Sequence, residues 1–127
     1  MNNNSEQSAK INDIAGILKI LSEPNRLRIL EKIMEGIHCN CDLGSALQIA
    51  PNLISHHLSV LRTAGLIETE RDPLDARWIY YSINPKKMEE LRVFFKDFFN
   101  SDRIMPRRMT CGPSLVQKQS TGLPTSN

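Results

Sequence analysis

The sequence predicts a mainly α domain (α+β) with one β-hairpin placed before its last helix. Three observations predict it. Apolar residues recur at three- and four-residue spacing through most of residues 11–99, the period of a helix with one buried face. Pro24 and Pro51 stand where new helices begin, and Gly36 and Gly65 where helices end. Between Leu66 and Ile83 the pattern shifts to loose alternation with aromatic and β-branched residues, which reads as two strands.

Residues 1–8 are polar and read as a disordered lead-in to a domain spanning 9–99. Ile11, Ile14, Ile17, Leu18 and Leu21 mark the first helix, broken at Glu23-Pro24. The second helix turns Leu27, Leu30, Ile33 and Met34 inward and Arg26, Arg28, Glu31 and Lys32 mostly outward. A short third helix, roughly Asp42 to Ile49, carries Leu43, Ala46 and Leu47 on its apolar side. The turn Ala50-Pro51-Asn52 opens a fourth helix, about 51–64, which buries Ile54, Leu58 and Leu61. Gly65 supplies the positive φ of the next bend. The strands flank the tip Asp72-Pro73-Leu74-Asp75-Ala76, and Trp78, Tyr80 and Tyr81 read as hairpin packing. A lone hairpin is marginal in water, so the helices must support it. Asn84-Pro85 starts the last helix, giving the order α-α-α-α-β-β-α.

Met88, Leu91, Phe95 and Phe98 form a stripe on that last helix, widened by Phe94 and Phe99. A stripe of this size on a terminal helix predicts burial against a second copy, because monomers rarely expose such a patch. The expected homodimer interface joins it to Ile14 and Leu18 of the first helix; packing within the same domain is the alternative. Residues 100–113 read as an ordered strap carrying Cys111, with bends at Pro106 and Gly112-Pro113, and 114–127 as a disordered tail rich in Pro, Ser, Thr, Gly and Gln.

Composition sets outer limits. Apolar residues make up 40% and charged residues 24% of the 127 residues, as in globular proteins, and the net charge of +2 permits nucleic-acid binding without arguing for it. The opening MNNNSEQSAK has no apolar core of a signal peptide, and no run approaches the ~18 apolar residues of a membrane span. A cytoplasmic address with no membrane partner follows as the expectation. No CxxC, Walker loop, GxSxG or paired carboxylate with a base is present, so the chain does not read as an enzyme and calls for no organic cofactor.

A short helix, a tight turn and a second helix with small polar residues at its start make a DNA-reading unit, and a hairpin directly after it makes a wing. The chain therefore reads as a winged helix-turn-helix. Asn52, Ser55, His56 and Ser59 supply donors and acceptors for base edges in the major groove. Arg62, Arg71 and Arg77 can meet phosphates, which position the protein without reading sequence. Adjacent helical residues diverge by about 100°, so His56 is the expected contact and His57 is left half-buried or against the wing. A solvated helix face is the plain alternative for these residues. Glu68, Glu70, Asp72 and Asp75 beside the two wing arginines keep the wing from being a basic patch.

The segments LKILSEPNRLRILEKIMEG, CNCDL, ISHHLSVLRTAGLIETERD and RWIYYSI resemble the ArsR/SmtB family of bacterial metal-responsive repressors, over about residues 11–99. The resemblance implies a homodimer on double-stranded operator DNA that represses a resistance operon when metal-free and leaves the DNA when metal binds. The chain departs from the family pattern at three places. Ala50 stands where a Ser N-cap is frequent. Gly44 stands where arsenic sensors place the third cysteine of CxCxxC. Residues 85–99 hold no histidine, so the family's zinc site on the last helix is absent.

The remaining signal is Cys39 and Cys41 in HCNCDL. On a regular helix, side chains two apart point about 200° from each other. The two thiols can share an ion only if Cys39 precedes the helix and Cys41 lies in its first turn. The positive end of the helix dipole would favour thiolate, and Asp42 suits the same turn. Cys111 on the strap is the candidate third ligand, from the same subunit or its partner. Three sulfurs suit trivalent arsenic or antimony, As(III) or Sb(III), as the effector. Cadmium or lead would want a fourth donor, which His38 or Asp42 could supply. A repressor sensing oxidation of these thiols to a disulfide or persulfide is the other alternative, and a protein-binding winged helix a further one. Small buried cysteines are the plain reading of Cys39 and Cys41.

Overall fold

The computed structural model describes residues 3–113. Its elements are α1 (Asn3–Leu21), α2 (Pro24–Met34), α3 (Asn40–Leu47), α4 (Pro51–Thr63), β1 (Ile67–Arg71), β2 (Ile79–Ile83) and α5 (Pro85–Phe98), with a 3₁₀ turn at Ser101–Arg103. The order matches the sequence expectation. The chain divides into two compact units, Met1–Arg92 and Val93–Asn127.

In the first unit, α1 begins at Asn3 rather than after a lead-in of 1–8. Glu6 in its first turn complements the helix dipole, and no Pro or Gly interrupts the polar stretch. α2 is capped by Glu23, whose carboxylate accepts from the Asn25 N–H at 2.6 Å, and Pro24 sits in the first turn where no N–H is needed. α2 turns Ile29, Leu30 and Ile33 into the core. Leu27 and Met34, expected inside, are 51% and 58% exposed. Both lie roughly 90–115° around the helix from the mean direction of the three buried residues, so one face cannot bury all five. Gly36 ends the helix turn at φ +102°, a backbone angle that side chains other than glycine's rarely tolerate.

The deepest core is Ile29, Leu43, Ile54, Leu58, Leu61 and Leu66, which draws together α2, α3, α4 and the entry to the hairpin. The two strands are antiparallel, pairing Ile67 with Ile83, Thr69 with Tyr81 and Arg71 with Ile79. Asn84 joins the hairpin to α5. Its Nδ2 donates to the Gly65 carbonyl at 2.9 Å while its Oδ1 accepts from the Lys86 and Lys87 N–H groups at the start of the helix. Trp78 lies just outside β2 and is 49% exposed, so it does not pack into the hairpin as expected. Ile14 and Leu91, expected at a subunit interface, are buried within the single chain and serve as core, whereas Leu18 stays exposed and Met88 partly so.

In the second unit, the end of α5 carries Phe94, Phe95, Phe98 and Phe99 in stacked and edge-on pairs with ring centroids 5.1–5.8 Å apart. Arg103 donates to the Asp97 and Phe98 carbonyls at 3.2 Å and lies over the Phe98 ring, satisfying carbonyls left open at the helix end. Phe95 is half-buried and Phe98 exposed. Residues 104–113 run without regular structure, and Cys111 is exposed. The tail 114–127 lies outside the described residues.

Candidate nucleic-acid interface and thiol pair

α3 and α4 are joined by a turn in which Gln48 takes a left-handed conformation, φ 57°. Ala50 opens α4 with no side-chain cap, but its carbonyl accepts from the Leu53 and Ile54 N–H groups at 3.0 Å and Pro51 leaves one fewer N–H to satisfy. Leu43 from α3 and Ile54, Leu58 and Leu61 from α4 lock the pair through one apolar seam. Gly44 lies in that seam. A Cβ there would fall 3.1 Å from the Ile49 carbonyl oxygen. Gly44, which the family resemblance sets at the third position of CxCxxC, is therefore at a close helix–turn approach.

α4 has two clearly different faces. Asn52, Ser55, His56, Ser59 and Arg62 are all exposed, at spacing that places them on one side of the helix. His57 points the other way and is buried, neither half-buried nor on the wing. Its Nδ1 accepts from Arg26 Nε of α2 at 3.2 Å, and Arg26 also donates to the Ile20 carbonyl of α1. Burial lowers the His57 pKa, the nearby Glu23 opposes that, and the Arg26 and His56 charges add to it. The half-buried arginine thus ties α4 to α1 and α2, a link not signalled by helical spacing.

Two of the four acidic residues of the wing, Asp72 and Asp75, are committed internally. Asp72 Oδ2 accepts from the Leu74 and Asp75 N–H groups, and its Oδ1 accepts from the Tyr80 hydroxyl, all at 2.9 Å. The Asp75 N–H first, then the Tyr80 hydroxyl, hold the Asp72 carboxyl below the usual carboxylate range. Asp75 is paired with Arg77 at 2.8 Å. Arg71 donates to the Ala76 carbonyl at 2.6 Å, and its side chain and that of Arg77 remain exposed. The tip is an ordered loop whose negative charges are partly matched inside it.

Cys39 takes the N-cap position of α3 with an extended backbone, and Cys41 lies in the first turn, the arrangement two nearby thiols need. The Cys41 charge acts on the Cys39 thiol. The dipole effect does not dominate. Burial comes first and, with the Asp42 side chain and Cys41, raises the Cys39 pKa, while the Asp42 backbone N–H pulls it down. Neighbouring groups tie this segment to both β2 and α4. The His38 carbonyl accepts from the Tyr81 N–H of β2 at 2.8 Å, the His38 ring lies 5.0 Å from that of Tyr80, and Asn40 Nδ2 donates to Ser55 Oγ of α4 at 2.8 Å. Cys111 belongs to the second unit. Among the described residues, no three His, Cys, Asp or Glu side chains gather as a metal cage. The thiol chemistry of Cys39 and Cys41 fits a soft, sulfur-seeking ion.

A short helix, a turn, a second helix with a polar outward face and a following hairpin make a winged helix-turn-helix, a DNA-binding fold. The pattern of the family described as "Bacterial regulatory protein, arsR family" matches residues 23–69. The cadmium resistance transcriptional regulatory protein CadC of Listeria innocua is 33% identical over 88 residues, 66% of this chain and 71% of that protein. The arsenical resistance operon repressor of Staphylococcus xylosus is 31% identical over 90 residues, 71% of this chain and 76% of that protein. The crystal structure of the transcriptional repressor BigR from Xylella fastidiosa superposes with a TM-score of 0.57 at 28% identity, covering 80% of this chain and 99% of that one. The chain belongs to the arsR family of bacterial regulatory proteins and is a DNA-binding transcriptional repressor. No helix among the described residues is long and apolar enough to cross a membrane.

Proposed function

We propose that this repressor works as a homodimer on operator DNA and is released by trivalent arsenic or antimony at Cys39 and Cys41, with Cys111 as third thiol. The observation that carries it is the position of the thiol pair, astride the first turn of the helix-turn-helix itself. Asn52, Ser55, His56, Ser59 and Arg62 face the groove, while Arg71 and Arg77 meet phosphates beside it. Leu18, Met88, Phe95 and Phe98 supply apolar surface for the second copy. Bound there, trivalent arsenic supplies bonds to sulfur, each formed as a thiol proton leaves with an arsenic hydroxyl as water and without change of oxidation state. Support comes from soft-donor chemistry and from the relative named for arsenical resistance.

Cadmium is a second reading, favoured by the Asp42 carboxylate beside the Cys39 thiol and by the relative named for cadmium resistance. A gel shift on the DNA upstream of the protein's own gene, titrated separately with arsenite and cadmium, tests both. Arsenite is expected to release the wild type but not Cys39→Ser or Cys41→Ser, and Cys111→Ser is expected to need more arsenite. Release of the Cys41→Ser protein at the wild-type arsenite concentration refutes the thiol reading. Release by cadmium and not by arsenite selects the second.

A further inference from the structure

We propose that Asn40 is the positioning residue that carries the state of the thiol pair to the DNA-reading helix. The inference rests on the proposed reading of Cys39 and Cys41 as the effector site and of Ser55 as a DNA contact. Asn40 stands between the two cysteines at the first position of α3, and its Nδ2 reaches Ser55 Oγ at 2.8 Å. A hydroxyl has one proton and two lone pairs. With one lone pair held by the Asn40 N–H, the Ser55 proton is left to donate outward, to a phosphate oxygen or to the N7 or O6 edge of a purine. The same bond selects one Ser55 rotamer before DNA arrives, which lowers the ordering cost of contact.

The segment around Asn40 is anchored on both sides. The Leu43 N–H donates to the Cys39 carbonyl at 3.0 Å, and the Tyr81 N–H of the wing donates to the His38 carbonyl at 2.8 Å. Where the cysteine side-chain torsions do not suffice to draw both sulfurs onto one ligand, the backbone that turns is the short piece between these anchors. Asn40 lies in that piece, between the two cysteines, with Cys39, Cys41 and Asp42. Its side chain swings with the turn and leaves Ser55, whose hydroxyl then loses its preset direction.

The test measures operator affinity of the full-length protein with and without saturating arsenite, for the wild type, Asn40→Ala, Ser55→Ala and the double variant. Arsenite binding is followed separately, without DNA, by the ultraviolet absorbance of arsenic–sulfur bonds. Asn40→Ala is expected to bind arsenite at the wild-type stoichiometry. Its arsenite-free operator affinity is expected to fall about three- to tenfold, the range one neutral hydrogen bond can move, while its arsenite-loaded affinity stays at the wild-type value. The release factor shrinks accordingly, and the double variant binds no more weakly than Ser55→Ala. A merely structural role would weaken both states equally, and that result, or an unchanged release factor, overturns the inference alone. A wild type that forms no arsenic–sulfur absorbance overturns the proposed effector reading and this inference with it.

Discussion

Leu58→Ala and Ser59→Ala change neighbouring residues of α4 that the fold places on opposite faces. Leu58 is 1% exposed, within the seam of Leu43, Ile54 and Leu61, whereas Ser59 faces outward. Truncating Leu58 removes three carbons at about 0.8 kcal/mol each, or roughly 2.4 kcal/mol of transfer free energy. The cavity left in a seam held by two helices raises the expected loss to about 3–5 kcal/mol. For a domain of this size, each kcal/mol shifts the midpoint by about 4–8 °C, so Leu58→Ala should melt at least ~12 °C lower. Ser59→Ala should stay within about 0.5 kcal/mol of wild type in stability. Its effect should appear in operator affinity instead. Thermal and urea unfolding at one fixed protein concentration, followed by operator titration of the folded fraction, measure both, the fixed concentration being needed because dimer stability depends on it. If Ser59→Ala destabilises the protein as much as Leu58→Ala, or if Leu58→Ala costs under 1 kcal/mol, the assignment of the two faces of α4 is wrong.

Three further outcomes are expected. In a Cys41→Ser, Cys111→Ser background, alkylation of Cys39 should reach half its maximal rate at a higher pH than the same chain unfolded in urea, because burial raises its pKa; a profile at or below that of the unfolded chain contradicts it. His57 has a folded pKa lowered by burial, so the unfolded chain takes up its proton first and stability present above its ordinary pKa of about 6.5 declines as pH falls through that value. Urea melts from pH 8 to 5 should show this slope, and His57→Phe should flatten it. Arg62→Ala should weaken binding to specific and unrelated duplexes alike and reduce the salt slope of operator binding by about 1; an unchanged slope removes Arg62 from the phosphate contacts.

Helix order, the hairpin and the buried set Ile54, Leu58 and Leu61 were legible because burial imposes a period that apolar residues follow. The placement of Cys39 ahead of α3 was only a condition for two thiols to share an ion; the helix was expected from about Asp42 and begins at Asn40, two residues earlier, because a polar Asn-Cys start gives no apolar period to mark it. Leu27 and Met34 misled because apolar type does not reveal which of several apolar residues faces inward when more exist than one face can hold. The polar start of α1 misled because nothing in a short Asn- and Ser-rich stretch forbids a helix once the following turns are fixed.

By itself the sequence determined the element order, the reading helix and the thiol pair at its partner helix, because these depend on neighbours a few positions apart. Only the tertiary structure decided that Arg26 reaches His57, that Asp72 organises the wing tip and that Asn40 touches Ser55. Hydrogen bonds between polar side chains leave no periodic trace in a sequence. They exist only once packed apolar faces have brought distant segments to within about 3 Å of each other.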